Sequence, residues 1–156
     1  MIRNQRGLAT VEAAIVGLVA MITLFGVIEV ARVFFVMNAL EEATRRGARV
    51  AAVCQLNDAA IAEITVFNPS GGGANSALLS GLTTGNVVVE YLDQAGNVLG
   101  APGGSFGLIR FVRVSIQNFT HQLIIPLLAR TFTMPNFATT IPAESLGVWP
   151  GGFSPC

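Results

Sequence analysis

The sequence predicts an α+β protein: one long amino-terminal helix, membrane-spanning in its first half, packed against a small antiparallel β-sheet. Three observations carry this. Leu8 to Ile28 is an apolar run in which Glu12 is the one charged residue. Glu29 to Cys54 continues it as an amphipathic pattern without a proline. From Asn86 onward, alternating valine-rich segments are separated by Gly- and Pro-rich turns, the mark of short strands rather than helices.

A helix over residues 8–54 is close to 70 Å long at about 1.5 Å per residue, and a hydrocarbon core is about 30 Å thick. The first half therefore crosses a membrane to about residue 28 and the second half stands outside it. Residues 1–7 (MIRNQRG) form a short basic leader with Arg3 and Arg6 and no acid, which keeps the amino terminus cytoplasmic and sends the head across. Arg45, Arg46 and Arg49 lie beyond the span, interleaved with Glu41 and Glu42. Glu12 is costly inside the apolar run, on the order of 2.5–3.5 kcal/mol unless paired, and so points to a role.

Past the span, Val33, Val36 or Met37, Leu40, Ala43, Gly47, Ala51 and Cys54 recur at helical spacing and give one apolar stripe. Within it, Ala39, Ala43, Gly47 and Ala51 form a ladder of small residues that lets another backbone approach closely. That backbone is a second helix or the protein's own sheet, and the second needs no partner. Glu41 with Arg45 and Glu42 with Arg46 are i,i+4 pairs in the favourable order. Glu29 and Arg32 sit three apart at the membrane exit and read as an interfacial anchor.

Residues 55–85 read as a connection, with Asp58 capping a short helix through Glu63, AsnProSerGlyGlyGly at 68–73 ending it and Leu78 to Leu82 a short apolar patch; the region is a flexible connection or a loop laid over the head, and the candidate for a partner-contacting loop. Residues 86–156 form the head, packed on 33–54. Within it, 87–92 and the ValLeuGly after a turn at 93–97 form a hairpin. The longest strand runs from Phe106 to Phe119, with Val112, Val114 and Ile116 alternating against Arg113, Ser115 and Gln117. LeuIleIleProLeuLeu at 123–128 connects to an edge strand near Phe137 to Ile141, bracketed by Pro135 and Pro142.

Composition bounds the chemistry. The net charge is zero, all nine basic residues are arginine, and the mean hydropathy of +0.62 reflects the apolar run. No basic patch with interleaved aromatics offers a footprint for nucleic acid. His121 is the only histidine and reads as structural or solvent-facing. GlyGlyGly at 71–73 lacks the lysine and helix of a phosphate loop, and no metal-ligand spacing occurs, so no enzymatic activity, metal or cofactor is expected. Cys54 and Cys156 leave two alternatives: a disulfide in an oxidising compartment, closing a loop of about 100 residues and removing about 4–5 kcal/mol of unfolded-state entropy, or no bond, with Cys54 simply buried.

The order of basic leader, Gly7, Leu8 and apolar run, with Glu12 five residues after the glycine, resembles the processing site of type IV prepilins. In that family a prepilin peptidase cuts after the glycine, so the resemblance makes Leu8 the mature amino terminus and Glu12 its fifth residue. GluValAlaArg at 29–32, AsnAlaLeuGluGluAlaThrArg at 38–45 and ArgGlyAlaArgValAlaAla at 46–52 tighten it, and the chain resembles the TadE-like family of pseudopilins of tight-adherence (Flp) pilus systems. The resemblance implies a pilin-like fold and a single-pass protein of the bacterial inner membrane with a periplasmic head, retained there or incorporated in a pilus. It also implies other pilins and the pilus assembly platform as partners, and Glu12 as the residue that sets register during assembly. Ala13 stands where the major pilins carry a tyrosine, so the resemblance points to a minor pilin. Two other readings fit an apolar leader segment: an unprocessed single-span anchor, and a secreted adhesive protein with an ordinary signal peptide removed behind the run. The mass of the mature chain separates the three.

Overall fold

The computed structural model describes residues 6–69, 71–124 and 130–156. The basic leader apart from its end, and most of the 123–128 connection, lie outside the described residues. The architecture is α+β, one long helix against a small antiparallel sheet.

Helix α1 runs unbroken over Arg6–Val53. Its outer half buries Val36, Leu40, Ala43, Thr44, Gly47, Ala48, Ala51 and Ala52, a stripe wider than the sequence pattern because Thr44, Ala48 and Ala52 join it. The short α2 (Ala59–Thr65) follows, capped by Asp58, whose side chain accepts from the Ala60 N–H. Glu41 pairs with Arg45. Arg46, by contrast, lies over the Phe67 ring at 5.3 Å, and no ion pair with Glu42 is found among the described residues.

The main sheet has three strands in the order β1 (Val87–Leu92), β2 (Phe111–Ile116), β5 (Phe137–Pro142), all antiparallel, with Tyr91 opposite Val112 and Val114 opposite Thr139. Two small hairpins complete it: β3 (Thr120–Gln122) with β4 (Thr131–Thr133), and β6 (Val148–Trp149) with β7 (Gly152–Phe153).

Two expectations are corrected. The strand at 87–92 takes β2 as its partner, and the segment after the 93–97 turn contributes only a bridge between Leu92 and Val98 and one bond from the Leu99 N–H to the Tyr91 carbonyl, 2.8 Å. Leu99 is half-buried against the core, but Val98 is exposed and Gly100 and Pro102 follow at once, so the segment goes no further as a strand. The longest strand is also shorter than expected. Phe106–Leu108 is a 3-10 turn, and Asn118 with φ of 56° ends the extended backbone beyond Ile116. The turn itself is built on Asp93, whose carboxylate accepts from Asn97 and Ala95; the Asn97 side-chain bond first, then its N–H, hold that carboxyl below its ordinary range. On the sheet's wet face Glu90 pairs with Arg113 at 2.7 Å.

The core lies in two clusters along α1. The membrane-proximal one joins Val36, Leu40 and Ala43 to Val66, Leu79, Leu82, Ile116, Phe119 and Met134. The distal one joins Ala48, Ala51 and Cys54 to Ile61, Tyr91, Ile109, Val112, Val114 and Leu146. Of the two arrangements expected for it, Leu78–Leu82 takes the loop laid over the head, with Leu79 and Leu82 in the core and Leu78 outside.

The far end of α1 is closed by the chain's last segment. Ala52 and Val53 carbonyls, which have no partner within the helix, accept from the N–H groups of Glu144, Leu146 and Gly147. Gly147 has a φ of +78°, and a Cβ there would stand 2.6 Å from the Gln55 nitrogen, so only glycine fits this close approach.

Gly47 is the tightest point of the helix contact. A Cβ there would run into the Thr65 hydroxyl and sit 3.0 Å from Val114 Cγ1, and Thr65 is held by its bond to the Ile61 carbonyl, 2.6 Å. Alanine would gain about 1 kcal/mol of helix propensity, whereas forcing a methyl into a filled core costs about 1–3 kcal/mol. Gly47→Ala is expected to lower the thermal midpoint of the detergent-solubilised protein. A midpoint equal to or above that of the unsubstituted chain would show that the contact is looser than described.

Candidate functional site

From Gly7 to Ile28 the described side chains are exposed throughout, with Gly26 half-buried, and the helix is long and apolar enough to cross a membrane. Gly7 and Leu8 open this exposed run, one helical turn before Glu12, which is also exposed. A Cβ on Gly7, Gly17 or Gly26 would meet nothing within 4 Å, so no contact among the described residues requires these glycines.

The small-residue ladder faces the other way. Ala43, Gly47 and Ala51 are buried and Ala39 is half-buried, all against the protein's own α2, β2 and β5. Thr44 beside them shares a hydrogen bond of 2.8 Å with the Thr139 hydroxyl across to the edge strand. The structure thus brings the ladder to the head and leaves Gly7, Leu8 and Glu12 far from it, along the bare part of α1.

Cys54 and Cys156 are joined in a disulfide, Cα atoms 5.6 Å apart, closing a sequence separation of 102. The Cys156 N–H donates to Asp58 Oδ2 at 2.9 Å, so the residue that caps α2 also receives the chain's end.

The unexpected cluster sits where the bare helix meets the head. Glu29 is only 6% exposed although its helical neighbours Ile28 and Val30 are open. Arg32 Nη1 donates to both of its oxygens, at 2.9 and 3.0 Å. The Ile124 N–H donates to Oε2 at 3.2 Å, and His121 Nε2 lies 3.4 Å from Oε1. Phe132 packs edge-on against the His121 ring, centroids 5.4 Å apart. Of the two roles expected for it, His121 takes the buried one rather than the solvent-facing one, held in β3. The Glu29–Arg32 spacing was readable as a local pair; what closes over it comes from 92 residues away, and no periodic signal encodes that.

Among the described residues no group of His, Cys, Asp and Glu has the arrangement of a metal site. The arrangement as a whole offers an exposed apolar helix with one carboxylate near its start, and a head that grips only the helix's outer half.

The family model described as TadE-like protein matches residues 7–49. The match covers the bare half of α1 and most of the half that packs on the head, the same stretch whose motifs carry the resemblance. No curated protein and no solved structure matches the chain.

Glu29 should hold the β3–β4 hairpin on the helix. In Glu29→Ala, the Ile124 N–H loses its charged acceptor, a bond of about 1.5–3 kcal/mol. Exchange of the Ile124 amide is expected to quicken by about tenfold to a hundredfold. Unchanged protection at that amide would mean that the hairpin is held by packing alone.

Proposed function

We propose that this chain, TadE-like over residues 7–49, is a minor pilin or pseudopilin that takes part in assembly of a tight-adherence (Flp) type IV pilus at the bacterial inner membrane. The observation that carries the reading is the division of α1 into an exposed apolar half, opening on Gly7, Leu8 and Glu12, and a half committed to the head. A filament subunit needs such a division, because the bare half must lie first in lipid and then against the same segment of its neighbours.

In this reading the amino terminus is cytoplasmic and the head periplasmic. The disulfide fits an oxidising compartment. A prepilin peptidase cuts after Gly7, freeing the Leu8 amine. Glu12 then pairs with the amine of a neighbouring subunit. In a medium of low dielectric that attraction offsets the cost of the buried carboxylate and fixes the axial register of two apolar helices that would otherwise slide. The other pilins and the assembly platform are its partners, and the chain is not an enzyme. The bond between Cys54 and Cys156 keeps the far end of α1 joined to the end of the head.

Two substitutions part the steps. Replacing Gly7 with a bulky residue is expected to leave a membrane-bound precursor with the mass of the uncut chain. Glu12→Gln is expected to give normal membrane levels and the mature mass but no piliation. An unchanged amino terminus in the first variant would overturn the processing step, and normal piliation in the second would overturn the register role.

A further inference from the structure

Glu29 is shielded from the outside by a hairpin that carries, among the exposed Thr120, Gln122, Thr131 and Thr133, two exposed apolar side chains, Ile124 and Phe132. Ile124 is 67% exposed, Phe132 borders on exposed, and across an open depression of about 490 Å³ stand Leu78, 50% exposed, and Phe35, 55% exposed. Phe34 and Val30 continue the apolar surface down α1 without a break into the bare span.

The direction of the hairpin follows from its contacts. Phe119 packs with Val36, whereas the Ile124 N–H reaches Glu29, two turns nearer the amino terminus. β3 therefore descends along α1 toward the span. The turn at 93–97 lies at the opposite end, because β1 runs from Val87, beside the membrane-proximal cluster, to Tyr91 in the distal one.

Helical rise sets the depth. Leu8 to Ile28 rises about 32 Å, close to the thickness of the hydrocarbon core, and Glu29 to Phe35 a further ~10 Å, which crosses a headgroup layer of about 5–7 Å and places Phe35, whose side chain tilts back toward the amino terminus, at its outer edge. Arg32, bonded to Glu29, is partly open in the depression and Arg130 is exposed beside the hairpin, two cations at the depth where lipid phosphates would lie.

We infer that the membrane-proximal end of the head is itself seated in the lipid interface: Ile124, Phe132, Leu78 and Phe35 enter the headgroup layer around α1, and the hairpin keeps lipid off Glu29. The occupant of the depression is the lipid surface. This rests on the reading of residues 8–28 as a span.

The test uses the full chain with its disulfide intact, reconstituted in vesicles of phosphatidylethanolamine and phosphatidylglycerol. Single cysteines replace the exposed residues Ile124 or Leu78, with Ile15 as the span control and Gly96 as the distal control, each labelled with an environment-sensitive fluorophore without reductant. Lipids bearing a nitroxide just below the headgroup are expected to quench Ile124 and Leu78 to an extent approaching Ile15, with no loss at Gly96. Quenching at Ile15 alone, with Ile124 and Leu78 behaving as Gly96, would overturn the inference and leave the span intact. Absence of quenching at Ile15 would overturn the span, and the inference with it.

Discussion

The structure depends on how closely one face of α1 can approach the rest of the chain. A helix with large side chains at Ala43, Gly47, Ala48 and Ala51 would stand off the sheet, and Thr65 and Val114 would lose the surface they close on. Because those positions are small, the three-stranded sheet and α2 bring Leu40, Ile61, Tyr91, Val112 and Val114 to near-complete burial around a single helix. The same economy explains why the head can be built from so few strands: the helix supplies the second layer.

Both ends of that contact are fastened by groups distant in sequence. At the outer end, residues 144–147 accept the role of a helix cap and the Cys54–Cys156 bond ties the chain's end to the same place. At the inner end, Glu29 is closed over by Arg32, His121 and the Ile124 N–H. Between the two fastenings α1 has neither proline nor break, so a displacement of its bare half is carried to the head as a displacement of one rod. For the proposed passage from lipid into a filament, that continuity is the mechanically useful property.

What could be read from the sequence was what periodicity and local chemistry encode. The span of α1, the stripe through Val36, Leu40, Ala43 and Gly47, the Asp58 cap, the inward Val112, Val114 and Ile116, and the edge position of the strand that ends at Pro142 all follow from spacing or from one residue's backbone chemistry, although Ser115, expected on the wet face, is buried. Pairings across the fold were not readable. The choice of β2 as the partner of β1 depends on where Phe111 returns, not on the turn next to β1. His121 sits among Thr and Gln, and nothing local marks it as the lid of a carboxylate on the helix. Arg46 has Glu42 in reach by spacing, yet the Phe67 ring offers a flat face that the one-dimensional pattern does not show. The β6–β7 hairpin, with only two residues per strand, leaves no periodic trace at all.

The central claim is that α1 is a single uninterrupted rod through the membrane exit. Amide hydrogen exchange of the full chain in lipid vesicles, resolved along α1, tests it directly. The account predicts continuous protection from the apolar half through residues 29–36 and into the buried stripe. A band of rapid exchange at 29–36, between two protected flanks, would show a hinge where the rod is claimed and would contradict it.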